Sequence, residues 1–171
     1  GVDYSVQMFK TASKNNPNKA RYHFLNEDIT TLHFSDLEKF DCVTAINSLF
    51  LLSNTKSMLN VIRNNLNKRG LLIIVSPKPT GSFYQFVRAS FHEKPFIIKL
   101  KAILRAFINV HHIINSLNLQ RKLDELNKKN IINYTTLEEM CNNLTKVGFR
   151  IIRTTEIQAN QNWLILATPT N

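Results

Sequence analysis

Apolar residues follow two rhythms along this chain. They recur every three to four positions over residues 5–15, 54–66 and 137–144, which predicts helices. They run together over Asp41-Cys42-Val43-Thr44-Ala45-Ile46 and Leu71-Leu72-Ile73-Ile74-Val75, as in buried parallel strands. Ser5 caps the first helix, with Val6, Met8, Phe9 and Ala12 on its inner face, and Asn15-Asn16-Pro17-Asn18 ends it. Residues 21–25 alternate as a short strand, Asn26-Glu27-Asp28 makes a turn or loop, and residues 32–40 form a short connection. The second helix turns Met58, Leu59, Ile62 and Leu66 inward and stops at Lys68-Arg69-Gly70. Pro77 and Pro79 end the strand that follows. Residues 1–79 thus alternate helix and strand at short spacing, which predicts a parallel sheet with crossover helices.

The end of the chain has another rhythm. Tyr134-Thr135-Thr136 leads into a helix with Leu137, Met140, Cys141 and Leu144 inward. Residues 148–152 and 162–168 read as strands close enough to pair as an antiparallel hairpin at one sheet edge. Residues 82–130 read as an all-helical insert in a single domain spanning 1–171. Phe96, Leu100, Ile103, Phe107, Val110, Ile114 and Leu117 fall on one helical stripe, and Lys101, Arg105, Asn109, His112 and Ser116 on the other.

Composition narrows the classes. The chain has 171 residues, 43% of them hydrophobic, enough for one domain with a core. Only four Gly and five Pro exclude collagen-like and low-complexity chains. The net charge of +10 favours an anionic partner, although a chain this rich in Asn, Lys and Ile also reaches it through coding bias. The insert holds nine Lys/Arg against three acids, more than half of that surplus. Cys42 and Cys141 are far apart and lack metal-ligand spacing; they read as buried small hydrophobes in a reducing compartment. With no signal peptide and no apolar run of about 18 residues, the expected location is the cytoplasm.

The first residues suggest chemistry. In Gly1-Val2-Asp3-Tyr4-Ser5, an apolar residue, an Asp and a small polar residue precede a helix. Nucleotide-binding α/β sheets end a strand in this way, with the Asp placed to take ribose hydroxyls. In such folds this is the second strand. A first strand with a glycine-rich loop is therefore expected upstream of Gly1, and the chain reads as the C-terminal part of a cofactor-dependent enzyme.

Five segments in order resemble the class I S-adenosylmethionine-dependent methyltransferases, especially those acting on small molecules. Residues 1–5, with Met8 and Ala12 after them, resemble the family's second strand and helix. Phe24-Leu25-Asn26-Glu27-Asp28-Ile29 resembles its third strand and acidic loop, and Phe40-Asp41-Cys42-Val43-Thr44-Ala45 its fourth strand, with Ser48-Leu49-Phe50-Leu51-Leu52 following. Residues 66–74 resemble the turn into its fifth strand, and Gly148-Phe149 with two strands its finish. The resemblance implies an α/β fold: a doubly wound, Rossmann-like, mostly parallel sheet with an antiparallel C-terminal edge strand, a helical lid insert and the first strand missing. It implies S-adenosylmethionine as cofactor. Asp3 would bind the ribose diol, Tyr4 would lie against the adenine, and Asp28 would accept from the adenine amino group with the Ile29 backbone beside it. Ala45 would contribute backbone contacts near the methionine moiety. Asp3 also has a purely structural reading as a helix cap, although Ser5 is better placed for that; Met8 reads as core. Many relatives carry His where this chain has Phe50 and Leu51.

Methyl transfer from a sulfonium needs alignment and water exclusion more than a catalytic motif. If the acceptor is a hydroxyl, candidate bases are Tyr84, just after the fifth strand, and His92, His111 and His112, each His also reading as an ordinary surface or packing residue. The Asn-Pro-Pro-aromatic motif of amino-methylating nucleic-acid enzymes is absent, since Ser76-Pro77-Lys78-Pro79 does not sit at the fourth strand. The expected partner is a small, apolar or amphipathic acceptor under a lid rich in Phe, Ile and Leu. The basic helical face also suits a membrane surface. An alternative class is a non-catalytic, degenerate methyltransferase fold that binds nucleic acid or anionic lipid through Lys99, Lys101 and Arg105. Nucleic acid is disfavoured, because the insert's aromatic residues lie on its apolar stripe and not among the basic ones.

Overall fold

Ser5 starts the first helix, α1 (Val6–Asn15), by accepting the Met8 amide on its hydroxyl at 3.3 Å. A computed structural model of the chain describes residues 1–16, 18, 21–31, 39–79, 110–157 and 160–170. They fall into two compact units, Gly1–Glu38 and Lys39–Asn171. In the first unit no residue of α1 is buried: Phe9 and Ala12 are half-buried, while Val6 and Met8, expected inside, are exposed. The strand expected over residues 21–25 is reduced to one parallel bridge, Val2 with Leu25. The Asn18 carbonyl accepts the amides of both Arg21 and Tyr22, so a turn uses the start of that segment. Only its end pairs, through Asp3 N–H to Leu25 O (3.0 Å) and Leu25 N–H to Gly1 O (2.8 Å).

The second unit contains β1 (Phe40–Ile46), α2 (Thr55–Asn65), β2 (Leu66–Pro77), α3 (Val110–Lys128), α4 (Leu137–Lys146), β3 (Phe149–Ile157) and β4 (Asn162–Pro169). The sheet order is β1-β2-β4-β3. β1 and β2 are parallel, joined by the crossover through α2, and β4 is antiparallel to both β2 and β3. The C-terminal hairpin thus takes one edge of the sheet, with β4 inward and β3 outermost. The sequence explains the choice. The run Trp163-Leu164-Ile165-Leu166-Ala167 suits a strand with neighbours on both sides, whereas Arg150, Arg153 and Glu156 give β3 the charges that protect a sheet edge.

Register places Ala45 of β1, Leu72, Ile74 and Ser76 of β2, and Ile165 and Ala167 of β4 on one face, and all six are buried. α4 packs on β3 and meets α2, whose Met58, Leu59 and Ile62 are buried as their spacing predicts. The expectation for β1 needs correction. It is parallel but not buried: Asp41, Cys42 and Thr44 are exposed, and so is Ile46, at 62%. Cys42, Thr44 and Ile46 share the face opposite Ala45, and that face is uncovered; among the described residues β1 also pairs along one edge only. Cys42 is therefore an exposed thiol, whereas Cys141 is half-buried and its thiol is pushed up by that burial.

Lys68-Arg69-Gly70 is not the helix stop. α2 ends at Asn65, and these residues already belong to β2. They form an irregularity in the ladder: Phe40 pairs with Leu66, and the next pair is Cys42 with Leu71. Gly70 is required by close approach, since a Cβ there would lie 2.9 Å from the Asn67 carbonyl oxygen and from Leu66 Cδ2. At the α4–β3 turn the need is conformational, because Gly148 has φ +86°. Of the insert, α3 is helical as expected; Ile114 and Leu117, at the end of its apolar stripe, are exposed. Phe96, Leu100, Ile103 and Phe107 lie outside the described residues.

α4 opens with a reciprocal capping box. The Thr136 hydroxyl accepts the Glu139 amide at 3.2 Å, and the Glu139 carboxylate accepts the Thr136 amide at 2.9 Å. The Thr136 amide first, then its hydroxyl, holds the Glu139 carboxyl below its ordinary value of 4.5. A depressed folded value means that the contribution is complete above the unfolded value and is lost as pH falls through the folded one. Thr136→Ala should cost about 1 kcal/mol at neutral pH in urea denaturation. Glu139→Gln should flatten the loss of stability below pH 4.5, read from thermal melts across that range.

Candidate functional site

Four of the five residues singled out for cofactor contact lie in the first unit, on two segments tied together by hydrogen bonds. Asp3 follows the Val2–Leu25 bridge directly. Its Oδ1 accepts the Ser5 amide at 2.8 Å, just ahead of the α1 cap, so both structural roles coexist: Ser5 caps the helix and Asp3 braces the residue that does so. Its Oδ2 makes no bond among the described residues. Tyr4, next along the chain, is 79% exposed and offers a bare ring face.

The second segment contains Asn26, Asp28 and Ile29. The Asn26 side-chain amide donates to the carbonyls of Asp3 (2.9 Å) and Tyr4 (3.0 Å), locking the two segments in register. In the sequence Asn26 reads only as a turn residue; its bonds reach carbonyls 23 and 22 positions away, which no local pattern signals. Asp28 Oδ1 accepts both the amide (2.8 Å) and the hydroxyl (2.7 Å) of Thr30, and its carbonyl accepts the Thr31 amide at 3.0 Å. The Thr30 hydroxyl first, then its amide, keeps the Asp28 carboxyl below its ordinary value, so it is ionised and accepts only. Ile29 is half-buried inside this turn.

Ala45 belongs to the second unit. It is buried near the carboxyl end of β1, paired with Ile74, and the open α/β sheet rule puts ligands at this end of parallel strands. Just beyond it the chain turns at Asn47, with φ +50°, whose amide donates to Val75 O at 2.8 Å. Phe50 follows in a short 3-10 turn, Leu49–Leu51, and stacks on Tyr134 with ring centroids 5.2 Å apart; the Asn133 amide donates to the Phe50 carbonyl at 2.8 Å. Burial, then the Asp124 carboxylate, push the Tyr134 phenol up, so at neutral pH it is a hydrogen-bond donor and not a base. No local pattern signals this aromatic pair, whose members are 84 positions apart in the chain.

The other candidates divide similarly. Tyr84 and His92, with Lys99, Lys101 and Arg105, lie outside the described residues, and His111 and His112 sit on α3. Among the described residues no group of three or more His, Cys, Asp or Glu could hold a metal ion, and no helix is long and apolar enough to cross a membrane.

Comparison with known proteins bears on this arrangement. A family model described as a methyltransferase domain matches residues 1–168. No curated protein matches the sequence. Three solved structures illustrate the likeness in fold. An S-adenosylmethionine-dependent methyltransferase from Clostridium acetobutylicum superposes with a TM-score of 0.59 at 12% identity, covering 99% of this chain and 74% of its own. A magnesium protoporphyrin IX methyltransferase from Synechocystis, with bound S-adenosylhomocysteine, gives 0.56 at 16%, covering 99% and 63%. An N-methyltransferase from Bradyrhizobium japonicum, in complex with S-adenosylhomocysteine, gives 0.60 at 11%, covering 99% and 65%. This chain thus spans somewhat under two thirds of the latter two. With the family model matched almost from end to end, and with strands, crossover helix and hairpin in the corresponding order, the chain belongs to the methyltransferase domain family and has its class I fold.

Proposed function

We propose that this protein transfers a methyl group from S-adenosylmethionine to a small, apolar or amphipathic acceptor in the cytoplasm. The observation that supports the cofactor most is Asp3: a carboxylate at the end of a paired segment, one oxygen fixed by the Ser5 amide and the other without a bond among the described residues. A carboxylate fixed in this way suits a cis-diol, which donates two hydrogen bonds to it. Asp28, held ionised by Thr30, suits the adenine amino group as a hydrogen-bond donor, with the Ile29 backbone alongside and the Tyr4 ring against the adenine. Ala45 would meet the methionine moiety through its backbone.

When bound, S-adenosylmethionine supplies a methyl group on a positively charged sulfur, ready for direct displacement. The residues of the chain hold, orient and exclude water. Asp3 and Asp28 fix the nucleoside end. The Phe50–Tyr134 pair gives an apolar wall beyond the carboxyl end of β1. An exposed free thiol at Cys42 suits the reducing cytoplasm. The test is calorimetric titration of the protein with S-adenosylmethionine and S-adenosylhomocysteine. Saturable binding of both, at one site per chain, is expected; binding of neither overturns the proposal.

A further inference from the structure

The carboxyl end of β2 carries an oddity that cofactor binding does not use. Ser76 is 3% exposed on the face that otherwise buries Leu72, Ile74, Ile165 and Ala167, and its hydroxyl has no hydrogen-bond partner among the described residues. Its ladder partner on β4 is Trp163, whose indole Nε1 is also buried without a partner. Directly paired residues in antiparallel strands have Cβ atoms roughly 4.5–5.5 Å apart, so the two orphaned groups belong to adjacent side chains on one face. Buried polar groups are nearly always satisfied, and each exception calls for an explanation. Packing alone would favour an Ala or Val at position 76.

The neighbourhood is charge-balanced and braced. Lys78 Nζ sits 3.9 Å from the centroid of the Trp163 ring and 2.8 Å from Glu156 Oε1, and Glu156 is the ladder partner of Trp163 on β3. The cation covers one face of the indole, the carboxylate neutralises the cation, and the row Ser76–Trp163–Glu156 crosses three strands. The two unmatched groups can therefore be answered by an atom that accepts hydrogen bonds and need bring no full charge. An indole N–H can only donate, and a hydroxyl can donate as well. The location is the end of the parallel strands at which open α/β sheets bind ligands.

We propose that Ser76 Oγ and Trp163 Nε1 form a subsite for a carbonyl-type oxygen of the methyl acceptor, that of a carboxylate or of an ester or ketone. This rests on the methyltransferase reading and deepens it by giving the acceptor a polar handle. The subsite contributes binding and orientation, not proton transfer. Its two donors discriminate against acceptors that lack the oxygen, because both would stay unpaired.

The chain has a single Trp, so one indole N–H resonance reports the site without assignment ambiguity. The 15N-labelled chain, with S-adenosylhomocysteine present, is titrated with benzoate, methyl benzoate and toluene. A saturable downfield shift of the indole proton with benzoate or methyl benzoate, and none with toluene, is expected. A shift with benzoate alone assigns a carboxylate, one with methyl benzoate alone a neutral carbonyl, and one with both a carbonyl-type oxygen with or without charge. Ser76→Ala should raise the apparent Kd of the active probe at least five-fold; Ser76→Cys serves if the first variant fails to fold. An unmoved indole signal, an equal response to toluene, or an exchange cross-peak to a long-lived internal water that no probe displaces would each overturn the subsite. S-adenosylhomocysteine binding in the same samples separates the two claims: if it binds and the probes fail, only the subsite falls, and if it does not bind, the methyltransferase reading falls.

Discussion

Asp3→Ala is expected to weaken S-adenosylmethionine binding roughly ten- to hundred-fold, the loss that follows when a charged partner of about 1.5–3 kcal/mol is removed. Asp3→Asn should fall between the variant and the original, since an amide oxygen still accepts but without charge and at one position only. The fold should tolerate both changes. Asp3 is exposed and its structural duty is one bond to the Ser5 amide, while Ser5 itself still caps α1. Calorimetric titration gives the affinity and thermal melting the stability. An unchanged Kd with Asp3→Ala would remove Asp3 from the cofactor site and return it to bracing the helix start. A variant that melts far below the original would show that the bracing matters more than the geometry suggests.

The largest effect on stability is expected at Phe149. It is 1% exposed, the first residue of β3, and follows the Gly148 turn out of α4. Truncation to Ala leaves a cavity that the surrounding strands cannot collapse around, at a cost of about 3–5 kcal/mol. Domains of this size have about 5–15 kcal/mol in all, so the variant should lose a large share of its stability. Urea denaturation should show a lower midpoint with an unchanged slope. Ile152→Ala, three residues further along the same strand, is the control. Ile152 is exposed, so its truncation should stay within about 0.5 kcal/mol. Equal losses at the two positions would mean that the buried face has been misassigned.

What the sequence made legible was whatever depends on local pattern. α2 and α4 bury Met58, Leu59, Ile62, Met140 and Leu144, as a period of 3.6 requires, and Ser5 caps α1 as its chemistry dictates. The parallel pairing of β1 with β2 and the C-terminal hairpin also followed from run length and order. What stayed hidden depends on neighbours remote in sequence. Nothing local says that the face of β1 carrying Cys42, Thr44 and Ile46 is left uncovered, so Cys42 and Ile46 read as core when they are exposed. Nothing local says that Asn18 will gather two amides and shorten the strand at residues 21–25 to one bridge. The candidate site divides along the same line. Asp3 and Asp28 stood out by motif, whereas Asn26, which joins their segments, and the Phe50–Tyr134 stack needed three dimensions to be seen.

The irregularity at the start of β2 works as a length buffer. Between its first two ladder pairs, β2 advances five residues while β1 advances two. Slack of that kind separates the end of α2 from the phase of the sheet. In an unbroken ladder, one added residue would rotate every later side chain to the opposite face. Here an insertion or deletion at Lys68-Arg69, both exposed, can be absorbed before Leu71, provided that Gly70 keeps its place. Leu72, Ile74 and Ser76 would then hold their phase through changes in the length of the preceding helix, leaving that junction open to drift while the carboxyl end of the strand stays fixed.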